Sequence, residues 1–203
     1  IACEWGPIRI YKNVNNALQE ITADLQLDTK TGWWNSINLH DLDNDGDLDI
    51  LATNFGHNTK YKASTSKPEL LYYSDFDESG KLDIVEAKYE GNDLVPRRGF
   101  SCSQLAMPFI KDKMKSFHNF ASSSLSGIYS KTSISSATKY EINTLESGVF
   151  INEKTHFKFI KLPPEAQIAP SFGSTVTDIN EDGIADIILA QNFYGPQRET
   201  GRM

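Results

Sequence analysis

The chain has 203 residues, enough to bury a sizeable core, and carries 20 Lys and Arg against 27 Asp and Glu, a formal charge of −7. No apolar run is long enough to cross a bilayer, and no dense basic stripe marks a nucleic-acid footprint. The acidity is local: thirteen of the acids fall in three nine-residue windows holding a single base, Lys81, and outside them the balance is +5.

In chain order, Ile1-Ala2-Cys3-Glu4-Trp5-Gly6 reads as the end of a strand, and Ile8–Asn13 with Leu18–Ile21 as a hairpin. Residues Trp33 to Leu39 alternate with period two and lead into the first acidic window, Asp41 to Asp49, which Ile50-Leu51-Ala52-Thr53 follows. The second window, Asp75 to Asp83, lies between Leu70-Leu71-Tyr72-Tyr73 and Ile84-Val85. The third, Asp178 to Asp186, lies between Thr175-Val176-Thr177 and Ile187-Ile188-Leu189. Short β-branched and aromatic runs bounded by Gly, Asn and Asp predict strands on both sides of every window. Gly148–Asn152 with Phe157–Leu162 predicts a second hairpin.

Each window repeats one chemistry. Positions 1, 3, 5 and 9 carry side-chain oxygens: Asp41, Asp43, Asp45 and Asp49; Asp75, Asp77, Ser79 and Asp83; Asp178, Asn180, Asp182 and Asp186. Position 6 is Gly46, Gly80 or Gly183, which permits a sharp turn. Position 7, Asp47, Lys81 or Ile184, offers a backbone carbonyl. A hard cation that takes six to eight oxygens is the expected occupant, hence up to three structural calcium ions. Helix-flanked calcium loops need a Glu at position 12, where this chain has Ala52, Glu86 and Leu189, so strand–loop–strand is expected instead. By ligand charge the first loop should bind tightest.

From Pro96 to Tyr140 the texture changes. Met107, Ile110, Met114, Phe117, Ala121 and Leu125 fall on one helical face, Pro108 suits a first turn, and Ser122-Ser123-Ser124 and Ser133-Ser135-Ser136 suggest a polar exit. Arg97-Arg98 just before it is read as surface salt bridging or as an anion site. In Trp33-Trp34 and Tyr72-Tyr73 one ring of each pair should be core, the other facing a neighbouring layer, solvent or a sugar. Asn54 and Asn192 should hold turns. His40, His57, His118 and His156 do not fall at zinc spacing, and His40 is expected on a strand face. Cys3 and Cys102 read as buried or half-buried thiols, a disulfide or a catalytic thiol being the alternatives.

The loops, together with the endings Asn54-Phe55-Gly56 and Asn192-Phe193-Tyr194-Gly195, make residues 1–96 and roughly 140–203 resemble the FG-GAP/VCBS repeat family, similar to the calcium-loop blades of integrin α-subunit propellers. Ser79 and the long interruption after Gly91 depart from its pattern. The resemblance implies a mainly β fold: a partial β-propeller of four-stranded antiparallel blades with a helical insertion, as a segment of a longer protein. The expected parts are propeller blades in 1–96, the insertion in 97–139, and in 140–203 the remainder of a blade with the first half of the next. The expected role is a binding or adhesion module for protein or glycan, stiffened by calcium and extracytoplasmic, where calcium is millimolar. Edge strands of the fragment invite self-association. A polysaccharide-acting enzyme with structural calcium is the alternative. Against it, almost all the acids are committed to the loops, leaving no obvious acid/base pair and no candidate catalytic residue.

Overall fold

The computed structural model describes residues 1–191. It is mainly β, with antiparallel sheets. The strands are β1 (Glu4–Gly6), β2 (Tyr11–Val14), β3 (Ala17–Glu20), β4 (Gly32–Trp33), β5 (Ser36–His40), β6 (Asp49–Thr53), β7 (Glu69–Ser74), β8 (Asp83–Glu90), β9 (Asp93–Pro96), β10 (Thr138–Ile142), β11 (Gly148–Asn152), β12 (Phe157–Lys161), β13 (Ser171–Thr177) and β14 (Asp186–Gln191). The helices are α1 (Phe100–Ala106), α2 (Phe109–Met114), α3 (Phe117–Ala121), α4 (Leu125–Tyr129) and α5 (Lys131–Ser136). They fall into two compact units, one made of Ile1–Ala63 with the chain from Ile142 onward, the other of Ser64–Glu141. The second acidic loop therefore groups with the helices, and the first with the third.

The first unit is built around a four-stranded sheet in the order β5-β6-β11-β12, each strand antiparallel to its neighbour. Its second and third strands are joined through the whole stretch 54–147. All five residues of β6 are buried, so it is covered on both faces. Ile50, Ala52, Trp34 and Phe150 form the core with Ile8 and Leu27, the Trp34 and Phe150 rings meeting edge-on at 5.4 Å. Trp33, on the other side of the strand, packs instead against Trp5, Phe55 and Tyr61. The two hairpins form as expected: β2 pairs β3 across Asn15 and Asn16, both with positive φ, and β11 pairs β12. Pairs β1-β4 and β13-β14 complete this unit.

Asn54 holds the point where the chain leaves β6. It is fully buried and satisfied on every side. Its Oδ1 accepts the N–H groups of Trp33 (3.1 Å) and Phe55 (2.8 Å), and its Nδ2 donates to the carbonyls of Thr144 (3.1 Å) and Glu146 (3.3 Å). The turn-holding role expected of Asn54 is met; Asn192 lies outside the described residues. Two residues on, Gly56 has φ +74, and a Cβ there would stand 2.8 Å from the Gln167 carbonyl oxygen.

The second unit is a sheet in the order β10-β7-β8-β9 against short helices. Leu70, Tyr72, Val85 and Ala87, at period two, form one core with Phe100, Met107, Ile110, Met114, Phe120, Leu125, Ile128 and Tyr129. The helical face read from the sequence is buried at Met107, Ile110, Met114 and Leu125, but Phe117 is 66 % exposed. One continuous helix does not form. Pro108 and the left-handed Lys115 interrupt it, and the serines restart it. Ser116, Ser124 and Ser130 accept N–H groups of Asn119, Gly127 and Ser133 as N-caps; of the serines read as a polar exit, Ser122 ends α3, Ser124 starts α4, and Ser133, Ser135 and Ser136 lie within α5. Arg97 is not a surface group. Its side chain, 5 % exposed, pairs with the 3 % exposed Glu69 at the start of β7. Cys3 is a half-buried free thiol and Cys102 an exposed one, where a buried or half-buried group was expected.

Candidate metal centre

Each acidic window spans one antiparallel hairpin: β5 and β6, β7 and β8, β13 and β14. The residue before position 1 pairs with position 9 in each: His40 with Asp49, Ser74 with Asp83, Thr177 with Asp186. The last aspartate is thus the first residue of the returning strand. His40, expected on a strand face, is the last residue of β5.

Within the windows the same hydrogen bonds recur. The position-5 N–H reaches the position-1 carboxylate at 3.1, 3.0 and 3.1 Å in the three loops, and the position-3 side chain at 3.3, 3.1 and 3.1 Å. The glycine N–H donates to the other oxygen of position 1 at 3.0, 2.8 and 2.7 Å. Position 7, Asp47, Lys81 or Ile184, donates its N–H to the position-5 side chain at 2.9, 3.3 and 2.8 Å. Position 9 accepts the position-2 N–H at 2.8, 3.1 and 3.0 Å. Every oxygen-bearing side chain named from the sequence is therefore bent back over its own loop. Position 4 is left-handed each time, Asn44 at φ 61, Glu78 at 58 and Glu181 at 60, as is the glycine at 91, 82 and 85. Asn at position 4 was a legible sign of that turn; Glu in the other two was not.

Carboxylates converge as a cation would require. One oxygen from each of Asp41, Asp43 and Asp49 lies within 4.8 Å of the others, and the same holds for Asp75, Asp77 and Asp83. In the third loop Asn180 brings a neutral oxygen, and its Nδ2 donates to Asp182 at 2.9 Å. Crowding of like charge shows in the proton affinities. Partial desolvation, then the negative charge of Asp45, holds the Asp43 carboxyl above its usual value. Desolvation, then Asp77 and Asp75, raises Asp83, whereas the Ser79 hydroxyl lowers Asp77. An all-oxygen set with clustered charge fits a hard divalent ion.

Residues 1–52 match the family model of an FG-GAP-like repeat. The matched stretch runs from β1 through the first acidic loop into β6, in line with the resemblance to FG-GAP/VCBS-like repeats. No curated protein and no solved structure matches the chain. The second and third loops, outside the matched stretch, share the hydrogen-bond scheme of the loop within it. Among the described residues no helix is long and apolar enough to cross a membrane.

Two partners of the first loop escaped the sequence reading. Asn152 and Lys154, more than a hundred positions downstream, reach Asp49, Leu48 and Asp47. Only strand pairing across the long interruption brings them there.

Proposed function

We propose that the three loops hold calcium, and that the chain is part of a propeller-type binding module whose β-hairpins the ions lock. The supporting observation is the hydrogen-bond scheme repeated in three strand–loop–strand hairpins, with side-chain oxygens turned inward in each. Asp41, Asp43, Asp45 and Asp49 would hold the first ion, Asp75, Asp77, Ser79 and Asp83 the second, and Asp178, Asn180, Asp182 and Asp186 the third. Carbonyls of Asp47, Lys81 and Ile184 would add a ligand each. The ion supplies charge neutralisation: it cancels the repulsion of acids that the fold brings together.

The sheet β5-β6-β11-β12 has the make-up of one four-stranded blade, which supports the propeller reading. In that reading β1 to β3 close a preceding blade, β13 and β14 open the next, and residues 64–141 are an elaboration between second and third strands. The partner is a protein or a glycan, and the setting is extracytoplasmic, where millimolar calcium fills sites of this kind. Thermal melting in calcium and in chelator tests the reading. Saturation about a hundredfold above Kd adds about 2.7 kcal/mol for each occupied site, so melting should rise by several degrees. Identical melting in both buffers refutes it.

A further inference from the structure

Among the described residues the first loop differs from the others in what holds its closing aspartate. All three position-9 aspartates accept an N–H from position 2, but Asp49 Oδ1 also accepts the N–H of Asn152, at 2.8 Å and 103 residues away. Asn152 ends β11, which pairs with β6 beside Asp49. Its side chain binds the loop as well: Nδ2 donates to the Leu48 carbonyl at 3.3 Å, and Oδ1 accepts the Lys154 N–H at 3.0 Å. The Lys154 ammonium in turn lies 3.5 Å from Asp47. Among the described residues the second loop has no such support, because β9 pairs with β8 only from Ala87 to Glu90 and stops short of Asp83.

We infer that the β11–β12 turn sets the ion affinity of the first loop, with Asn152 positioning Asp49 and Lys154 opposing the loop's charge. A ligand held by outer hydrogen bonds needs no reordering when it meets the ion, so the brace favours binding. A cation beside Asp47 acts the other way, weakly, because the Lys154 side chain is 70 % exposed. Binding and strand placement are linked in both directions: calcium in the first loop secures the strand that resumes the sheet after residues 54–147. This rests on the calcium reading above.

The three loop glycines make the test site by site, since each N–H donates to the position-1 carboxylate of its own loop. The intact chain, labelled with ¹⁵N-glycine, is titrated with calcium and followed by NMR. Asn152→Ala keeps the backbone N–H that Asp49 accepts but strips the side-chain bonds to Leu48 and Lys154 that fix the turn on the loop; it is expected to weaken the affinity read at Gly46 roughly tenfold and to leave Gly80 and Gly183 unchanged. Lys154→Met is expected to tighten it about two- to threefold at Gly46 alone. No change at Gly46 in either variant, or equal changes at all three glycines, overturns the inference. Should Asn152→Ala not fold, the exposed Lys154→Met decides by itself. A parent protein whose glycine amides ignore calcium refutes the calcium reading; a responsive parent with unselective variants refutes only this inference.

Discussion

Replacing Asp49 by Asn separates the loop's own architecture from its ion. Asp49 is 1 % exposed, and its two oxygens accept N–H groups from Leu42 and Asn152, both at 2.8 Å. An amide keeps one oxygen, so one of these N–H groups would face an NH₂ and lose its acceptor. A buried donor left unsatisfied costs about 1–3 kcal/mol, here without any metal. For a chain of this size ~2 kcal/mol lowers melting by roughly 4–8 °C in chelator. In calcium the gap to the parent should widen, because a charged ligand is also gone. Asp43→Asn is the control. Asp43 accepts only the 3.3 Å bond from Asp45, which an amide oxygen retains, and losing its charge relieves crowding with Asp45, Asp49 and Asp41. That variant should melt with or slightly above the parent in chelator, and below it in calcium. Scanning fluorimetry of the three proteins in both buffers gives the comparison. Equal melting of Asp49→Asn and parent in chelator would refute the claim that this carboxylate braces the loop.

Other consequences follow from the same contacts. Asn54→Ala strips four partners from a fully buried turn and should cost about 3 kcal/mol in urea unfolding. Arg97→Met leaves the buried Glu69 carboxylate without its guanidinium and should cost roughly 3–5 kcal/mol, read by chemical denaturation of the second unit. In calcium-free buffer Asp83, raised in the folded state, contributes stability that is fully present below its ordinary value of 3.8 and lost as pH rises through the raised value. The contribution of Asp83 to the stability of the metal-free parent should therefore fall across that window, while Asp77, lowered in the folded state, acts with the opposite sign. Asp83→Asn should flatten the decline, and an unchanged slope counts against charge crowding.

Local order was the legible part of this fold. Alternation at Trp33–Leu39 and β-branched runs after each window predict the hairpins, and Asp at positions 1 and 9, Asp or Asn at 3 and Gly at 6 mark the loops. The left-handed turn at position 4 was half legible, because Asn44 favours it whereas Glu78 and Glu181 adopt it only when the surrounding hydrogen bonds demand it. Long-range pairing was not legible. That β6 pairs with β11 depends on an edge satisfied 95 residues or more later in the chain, and no local pattern encodes the distance. The helical face at Met107, Ile110 and Met114 was read correctly as apolar, yet Pro108 and the capping serines divide it into short pieces. Arg97 looked solvated because adjacent arginines usually are; it is buried against Glu69, which starts β7, two strands away from β9 in the sheet. Asn152 and Lys154 carried no sign of their place beside the first loop.

The most direct measurement is the calcium stoichiometry of the intact chain by equilibrium dialysis, beside a variant carrying Asp43→Asn, Asp77→Asn and Asp178→Asn. Three ions per parent chain, filled first at the loop that Asn152 braces, and few or none on the variant, are the expected result. A parent that binds no calcium at millimolar concentration, or a triple variant that binds as many ions as the parent, contradicts the account.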